Sequence, residues 1–416
     1  MCGIAGLLGP SSVTASLIGP MLRVIHHRGP DDSGEYVGDS FAFGMTRLSI
    51  IDLAGGHQPM WSVDDNVGIV YNGELYNYRE INERLAAAGQ AFTTHSDTET
   101  LIHLYERVGR DSLPEMMRQL RGMFGFAIYD RERQQIVLAR DHFGIKPLYY
   151  RLDPDGRRVI SFGSEIKSLL VDPTCPREVN SDAIVNYLSF QYNPLDETFF
   201  RGIYRLPPGS FGVIDLRDGS ITIEPYWHYE FDGQGIDDEH ALLARVRSVM
   251  EDSVEHHLIA DVPVGAFLSG GIDSAITVTL VQEQRRAHGM APVKTFTVGF
   301  DTVSEQAQAR EVADRLGTDH HDVHVDVDDY LKVLPDIAWY FDEPVADPSA
   351  VALYFLAEAA REHVTVVLSG EGADELFGGY RIYREPLDLD RVRRLPKPLR
   401  SLARKASELP RSFPGR

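Results

Sequence analysis

The order of its apolar segments constrains the fold of this 416-residue chain more than any other feature. Up to about residue 225, segments with strand spacing and segments with helical spacing come in groups and do not alternate regularly. That order favours a layered α+β domain with antiparallel sheets. After residue 260, apolar strands are followed by loops and helices, which is typical of an α/β domain with an open parallel sheet.

Several strands and helices of the first half are predicted from local spacing. A strand at 67–71 ends just before Asn72-Gly73-Glu74, so we expect these three residues to follow it. The other predicted elements are strands at 2–9, 41–45 and 159–162, a hairpin at 124–130 and 135–140, and helices at 81–88 and 98–108.

The composition indicates a soluble globular protein of about two domains. Acidic residues number 62 and basic residues 41, and the net charge of −21 argues against nucleic acid or an anionic membrane as a partner. With only Cys2 and Cys175 there is no disulfide framework, and a reducing cytoplasm suits a working thiol. The sequence has neither a signal peptide nor an apolar run of membrane-spanning length. We therefore expect a cytoplasmic location.

The N-terminus carries a candidate nucleophile. Loss of Met1 leaves Cys2 as the terminal residue, with a thiol and an α-amine on one carbon. Such an amine titrates near ~8 and is able to take the proton of the thiol, so one residue serves as nucleophile and base. The alternative is that Cys2 is merely a small residue at a frayed end.

Four other sites in the first half could serve that nucleophile. Arg47 could clamp a carboxylate through two parallel hydrogen bonds, or be an ordinary surface arginine. Asn72 and the Gly73 N–H could stabilise an oxyanion, or form a hairpin turn. Glu74 and Asp97 could hold an ammonium group, although Asp97 could also simply cap the helix that follows it.

Taken together, these segments resemble the class II glutamine amidotransferase domain, and more closely the glutamine-hydrolysing asparagine synthetase family. The motifs are Met1-Cys2-Gly3-Ile4-Ala5-Gly6, His27-Arg28-Gly29-Pro30-Asp31, Arg47-Leu48-Ser49-Ile50-Ile51-Asp52, His57-Gln58-Pro59-Met60, Tyr71-Asn72-Gly73-Glu74 and Ser96-Asp97-Thr98-Glu99. The resemblance implies an N-terminal nucleophile hydrolase fold, with two antiparallel sheets between helical layers. It implies that Cys2 attacks glutamine and that Asn72 and Gly73 form the oxyanion hole. The glutamine-binding residues that it implies are Arg47, Leu48, Ser49, Ile50, Ile51, Asn72, Gly73, Glu74 and Asp97.

A turn at Pro207-Pro208-Gly209-Ser210 leads into a predicted hairpin, with strands at 211–214 and 220–223. The acidic, glycine-bearing stretch 231–239 is typical of an exposed linker. We therefore predict an amidotransferase domain at 2–205, a hairpin and linker at 206–238, and an ATP-binding domain at 239–416.

The second half has a glycine-rich loop, Ser269-Gly270-Gly271-Ile272-Asp273-Ser274, between a predicted strand at 262–268 and a predicted helix at 275–284. Glycines there let backbone N–H groups approach a phosphate at the helix N-terminus. The loop lacks the Gly-Lys-Ser/Thr ending of the common P-loop and resembles the pyrophosphate loop of ATP pyrophosphatases. The alternative is a glycine turn in a generic α/β unit.

A second motif, Ser369-Gly370-Glu371-Gly372-Ala373-Asp374-Glu375, again resembles the asparagine synthetase family. Asp273 and Asp374 are hard oxygen ligands that suit Mg²⁺ on ATP phosphates, and Glu371 is a candidate for positioning or acid/base work. The segments 342–344 and 346–350 resemble the acceptor side, with a solvated acidic turn as the alternative. The ATP-binding residues that the resemblance implies are Phe267, Leu268, Ser269, Gly270, Gly271, Asp273, Ser274, Val298, Ser369 and Gly370.

The resemblance implies a glutamine-dependent asparagine synthetase that uses glutamine, aspartate and ATP, with dimers as the family expectation. Family members continue well beyond the Gly378-Gly379-Tyr380 segment, so we expect the second domain to be partial and the basic stretch after 391 to be a solvated tail. One alternative is an amidotransferase for another carboxylate acceptor. The other is a glutaminase or regulatory remnant with an inactive second domain.

Overall fold

The computed structural model describes residues 1–230, 235, 238–300, 305–384, 386 and 390. Most of the predicted linker and the basic stretch from 391 onward lie outside these residues. Ser304, the first residue of the helix that we predict from the sequence at 304–316, also lies outside them. The first half contains β1 (Gly3–Leu8), α1 (Ser11–Val24), β2 (Asp32–Val37), β3 (Phe41–Arg47), β4 (Met60–Trp61), β5 (Val67–Leu75), α2 (Tyr78–Ala87), α3 (Asp97–Leu104), α4 (Leu113–Met117), β6 (Gly122–Asp130), β7 (Gln135–Arg140), β8 (Tyr149–Leu152), β9 (Val159–Gly163), α5 (Ile166–Leu169), α6 (Ser181–Phe190), β10 (Ile203–Arg205), β11 (Ser210–Asp215) and β12 (Ile221–Pro225). The second half contains α7 (Glu239–His257), β13 (Val264–Phe267), α8 (Ile272–Ala287), β14 (Lys294–Phe300), α9 (Gln306–Leu316), β15 (Asp319–Val325), α10 (Val327–Phe341), α11 (Ser349–Arg361), β16 (Val366–Leu368) and α12 (Ala373–Phe377).

The first half is a sandwich of two six-stranded antiparallel sheets, as predicted. The first sheet has the order β10-β8-β9-β1-β3-β2 and the second the order β12-β11-β7-β6-β5-β4. Apolar residues of both sheets share one buried cluster, including Ile4 and Phe43 from the first sheet and Val70 and Leu138 from the second. This cluster is the core between the sheets.

Helices cover the outer faces of the two sheets. In α1 and the residue after it, Ile18, Met21, Leu22 and Ile25 recur at helical spacing and pack against β1 and β3. On the other side, α2 and α3 pack their apolar residues on the second sheet. Close packing also explains Gly6 in β1, because a Cβ there would lie 2.2 Å from the ring of Phe162.

The second half contains a parallel sheet with the order β15-β14-β13-β16. The chain runs from β13 through β14 to β15 in one direction and returns to β16 on the other side of β13. The strand order therefore reverses between β13 and β16, and open α/β sheets bind ligands outside the carboxyl ends of the strands at such a point. Among the described residues, no helix combines the length and apolarity that a membrane crossing requires.

Three local predictions are corrected by the structure. Asn72, Gly73 and Glu74 lie inside β5 and do not follow it, because β6 pairs with β5 as far as Leu75 and Gly122. Helix α8 begins at Ile272, so Asp273 and Ser274 belong to its first turn. The hairpin of β11 and β12 pairs with β7 and extends the second sheet, so it is not a separate connector.

Candidate active site

Residues from six separate segments line one cleft at the start of β1. The lining residues that the sequence predicted are Cys2, Arg47, Leu48, Ile50, Ile51, Asn72, Gly73, Glu74 and Asp97. Ser49 is not among them, and its N–H donates to Asp31 Oδ2 at 2.9 Å. Beyond Met1, five further lining residues were not predicted as site residues: Gln58, Tyr71, Ser96 and Thr98, which lie within the quoted motifs, and Lys146, which lies in none.

Cys2 lies half-buried at the edge of this cleft, one residue before β1. Its Sγ is 3.6 Å from the carbonyl oxygen of Leu48, and its own carbonyl oxygen accepts a hydrogen bond from Arg28 Nε at 2.8 Å. Burial raises the pKa of the Cys2 thiol, and burial lowers the pKa of the adjoining Met1 α-amine to about 5. The Met1 α-amine is therefore neutral at pH 7.

Arg47 is buried and holds the loop beside the thiol. Its Nη2 donates to the carbonyl oxygens of Ile51 at 2.9 Å and Asp52 at 2.8 Å, and its Nη1 donates to Leu53 O at 3.3 Å. Arg47 is thus no ordinary surface arginine. The predicted clamp of two parallel bonds needs correction, because both Nη2 hydrogens already bind backbone oxygens.

Asn72 is 1% exposed, and its amide nitrogen and oxygen have no hydrogen-bond partner in the described part of the chain. The neighbouring N–H groups of Tyr71 and Leu75 donate to Gln58 Oε1 at 2.7 Å and Asp97 Oδ2 at 2.9 Å. Because N–H groups alternate between the two edges of a strand, the Gly73 N–H points to this same edge, between them. An unpaired buried amide and a strand N–H therefore converge on the cleft.

Two carboxylates share the cleft with a buried lysine. Asp97 accepts from Leu75 N and from Tyr71 Oη at 3.1 Å, and Ser96, not Asp97, caps α3. Burial raises the pKa of Asp97 to about 6. Burial and, to a smaller extent, the negative charge of Asp97 raise the pKa of Glu74 to about 7. Burial lowers the pKa of Lys146, with Glu74 as its largest opposing influence. These shifted groups favour a bound cation beside Glu74 and Asp97.

A second candidate site lies at the carboxyl ends of β13 and β16. Within the loop after β13, Ser269 Oγ and Ser274 Oγ are 2.9 Å apart and the Gly271 N–H donates to Ser269 Oγ. Gly370 follows β16 and packs on this loop, because a Cβ there would lie 2.9 Å from Ser274 N and 3.1 Å from Asp273 Cβ. The two predicted motifs therefore meet at the switch point of the sheet.

The loop after β13 presents a backbone donor to an anion. The Gly270 N–H donates to the carboxylate oxygen Glu305 Oε2 at 3.2 Å. Asp374 lies in the short helix α12 after β16, and Glu371 is exposed just before it. No cluster of three or more potential metal ligands occurs among the described side chains.

Comparisons with known proteins match each half of the chain to a protein family. A model of the glutamine amidotransferase domain family matches residues 1–227, and a model of the asparagine synthase family matches residues 245–414. The chain is 42% identical to asparagine synthetase [glutamine-hydrolyzing] 1 of Bacillus subtilis, with 97% of this chain and 62% of the relative covered. It is 32% identical to asparagine synthetase B [glutamine-hydrolyzing] of Escherichia coli, with 92% and 66% covered. It is 34% identical to a Methanocaldococcus jannaschii protein provisionally named asparagine synthetase [glutamine-hydrolyzing] 2, with 97% and 80% covered. The chain thus spans less than two thirds of the length of the B. subtilis and E. coli relatives.

Proposed function

The chain belongs to the glutamine-hydrolysing asparagine synthetase family, and on this premise we propose that it takes ammonia from glutamine at Cys2 and transfers it to aspartate activated by ATP. The products would be asparagine, glutamate, AMP and pyrophosphate. The observation that carries the proposal is the convergence of Cys2, Asn72, Glu74 and Asp97 on one cleft. They come from the chain start, from β5 and from α3, and amide hydrolysis needs this combination of groups.

The thiol of Cys2 attacks the side-chain amide of glutamine. After removal of Met1, the α-amine of Cys2 takes the thiol proton and returns it to the departing ammonia, which leaves a glutamyl thioester for water to hydrolyse. The burial that lowers the pKa of the Met1 amine supports a neutral base at this position. The Asn72 amide and the Gly73 N–H donate to the oxyanion, a role that the unpaired side-chain amide of Asn72 suits.

Glutamine is held by its two charged groups. Glu74 and Asp97 bind the ammonium, which relieves the repulsion between two buried carboxylates. The carboxylate is bound by backbone groups around Leu48 to Ile51 and by the hydrogens that Arg47 has left after holding its loop. Lys146 adds positive charge beside Glu74.

Replacing Glu74 by glutamine is expected to stabilise the protein and weaken glutamine binding. With a pKa of about 7 in the folded state, Glu74 keeps its proton between about pH 4.5 and 7, where the unfolded chain loses it. The ionised carboxylate therefore lowers stability as pH rises through this window, by up to about 3 kcal/mol above pH 7. Thermal unfolding should show Glu74→Gln more stable than wild type at pH 8 and equal to it near pH 4.5.

The same carboxylate must be ionised to bind an ammonium, so the KM of wild type for glutamine should rise as pH falls below 7. In Glu74→Gln we expect KM to rise about 10-fold or more at pH 8, as for loss of a hydrogen-bonded buried charge pair. Glu83→Gln, on the exposed face of α2, is the matched control and should change neither property. A Glu74→Gln variant with unchanged KM would remove Glu74 from the ammonium site.

We propose that the second site binds ATP together with Mg²⁺. The Gly270 N–H that reaches Glu305 is a backbone donor for phosphate, and helix α8 adds its N-terminal dipole. Asp273 and Asp374 supply the carboxylate oxygens that Mg²⁺ prefers, and the ion would neutralise phosphate charge. The other proposed ATP contacts, Phe267, Leu268, Ser269, Gly271, Ser274, Val298, Ser369 and Gly370, surround the carboxyl ends of the strands. Glu371 is proposed to act near the activated carboxyl group.

Ammonia must cross from the first half to the second. A cavity of about 570 Å³ lies between the halves, lined by Tyr149 and Arg205 on one side and Phe341 to Asp347 on the other. This cleft opens to solvent and shares no lining residue with the Cys2 cleft, so an internal passage for ammonia stays a prediction. The cytoplasmic location and the homodimer that composition and resemblance imply stay predictions.

A product assay by mass spectrometry tests the proposal. The purified chain, with removal of Met1 verified by intact mass, is incubated with glutamine, aspartate and MgATP. We expect glutamate, asparagine and AMP in equal amounts. Glutamate without AMP would favour a glutaminase remnant, and AMP that forms only with another carboxylate would favour a different acceptor. Absence of glutamate would contradict the role of Cys2.

A further inference from the structure

Four buried side chains of alternating charge form a continuous row at the contact between the two halves. The row runs Arg28, Glu165, Lys167, Asp342, and each side chain is at most 9% exposed. Arg28 Nη1 lies 2.8 Å from Glu165 Oε1, Lys167 Nζ contacts Glu165 Oε2, and Lys167 Nζ lies 3.2 Å from Asp342 Oδ1. Each charge therefore has an opposite charge on either side, except at the ends.

One end of the row reaches the nucleophile. Arg28 Nε donates to the carbonyl oxygen of Cys2 at 2.8 Å. His27 also binds Glu165, with its Nε2 3.0 Å from Oε1, so the carboxylate contacts three side chains, His27, Arg28 and Lys167. Despite burial, the hydrogen bond from His27 and the charge of Arg28 lower the pKa of Glu165 to about 2. Glu165 is therefore ionised at every working pH and fixes Arg28 in place.

The other end belongs to the second half. Asp342 follows α10 in the left-handed region, with φ of 61°, and its Oδ2 accepts the backbone N–H of Lys167 at 3.0 Å. The Lys167 ammonium also lies 5.2 Å from the ring centre of Trp339 in α10. Asp342 begins the segment 342–344, which together with 346–350 resembles the acceptor side. The row thus links this segment to the backbone of Cys2.

We propose that Asp342 is a positioning residue for Cys2, acting across the contact through Lys167, Glu165 and Arg28. Without the charge of Asp342, Lys167 has Glu165 as its only carboxylate partner in the row and draws it away from Arg28. Arg28 then loses the contact that aims its Nε at the Cys2 carbonyl oxygen, and the thiol leaves its orientation over the cleft. A displacement of segment 342–344 would therefore change the orientation of the Cys2 thiol through the same contacts. Conversely, a ligand bound at Cys2 would affect the position of this segment.

The neighbouring residue offers a matched control. Glu343 also makes a partly buried ion pair between the halves, with its Oε2 2.6 Å from Arg205 Nη2 and its Oε1 accepting from Phe199 N at 2.9 Å. Arg205 Nη1 donates to the carbonyl oxygens of Asn193 and Leu195, and these contacts of the pair do not involve Cys2. Asp342→Asn and Glu343→Gln each remove one interfacial charge with little change of shape.

The experiment measures glutamine hydrolysis, the alkylation rate of Cys2 by iodoacetamide, and thermal stability for the full chain. Peptide mass mapping separates Cys2 from Cys175. We expect Asp342→Asn to lower kcat for glutamine about 10-fold or more with KM within about twofold, as for a misplaced nucleophile. Alkylation of Cys2 should change at least about threefold, because the thiol is reoriented. Glu343→Gln should change each rate less than about twofold at a comparable loss of Tm.

A double-mutant cycle with Lys167→Met completes the test. If the row acts as a unit, the double variant loses no more kcat than either single variant. If Asp342→Asn and Glu343→Gln lowered kcat equally at equal Tm, the effect would be a general loosening of the contact and the proposal would be overturned. An Asp342→Asn variant with unchanged kcat and unchanged alkylation of Cys2 would overturn it as well. If that variant fails to fold, Lys167→Met and Lys167→Arg test the same link. The inference rests on the proposed function, yet a wild type that releases no glutamate would refute that function alone, because alkylation of Cys2 needs no glutamine.

Discussion

Replacing Cys2 by alanine is expected to remove glutamine hydrolysis, with glutamate release falling at least about 10³-fold. The variant keeps the cleft and its bound groups but has no atom that can form the thioester. Cys2→Ser should be similarly inactive, because a hydroxyl without a strong base is a far weaker nucleophile than a thiol. Any ammonia-dependent product should persist, since the second site lies on a different sheet. The measurement is glutamate release, together with asparagine formation from glutamine and from ammonium chloride.

Cys175→Ala is the matched control for this prediction. Cys175 is the other free thiol and is buried in a small cluster with Ile166, Leu169 and Ile203, away from the cleft. Its loss should cost roughly 1 kcal/mol of stability through a small cavity, and no activity. If Cys175→Ala and Cys2→Ala lost activity equally, or if Cys2→Ala still released glutamate, the nucleophile would have to be sought elsewhere.

The residues that carry a chemical signature could be predicted from the sequence, and those that acquire one through packing could not. Cys2, Asn72 and Asp97 stand in motifs whose residue types match amide chemistry, and the cleft does bring them together. Lys146 looks like any surface lysine. Its turn is fixed inside the protein by buried Asp141, which accepts the N–H groups of residues 143, 145 and 146, and this arrangement depends on contacts distant in sequence.

Contacts between residues distant in sequence also explain the corrected predictions. Asn72-Gly73 has the composition of a hairpin turn, but the register of β5 with β6 continues through it to Leu75. Arg47 was predicted to clamp a ligand, but the carbonyl groups of residues 51–53 converge on its guanidinium once the loop has folded. In both cases tertiary pairing overrides the local pattern, which a single sequence does not reveal.

Replacing Asn72 by alanine is expected to lower kcat for glutamine hydrolysis about 10²- to 10³-fold without loss of stability. The amide is buried and unpaired among the described residues, so the folded protein already lacks its hydrogen bonds. Removing such a group costs little or even stabilises, because only the burial of an unsatisfied polar group is lost. In the transition state, however, the amide N–H would donate to the oxyanion, and one such donor is worth about 3–4 kcal/mol. Because that bond forms only as the reaction proceeds, KM should stay within about twofold.

Gln58 carries the same amide group as Asn72, but its replacement is expected to have the opposite balance of effects on stability and kcat. Its buried amide is hydrogen-bonded at both ends, with Oε1 accepting from Tyr71 N at 2.7 Å and Nε2 donating to Thr98 Oγ1 at 3.2 Å. Gln58→Ala leaves the Tyr71 N–H without its partner, and we expect a loss of about 1–3 kcal/mol of stability with a smaller loss of kcat than in Asn72→Ala. Steady-state kinetics and denaturant unfolding of both variants decide the matter. Loss of stability in Asn72→Ala with an unchanged kcat would mean that the amide serves the fold, and the oxyanion would then need another donor.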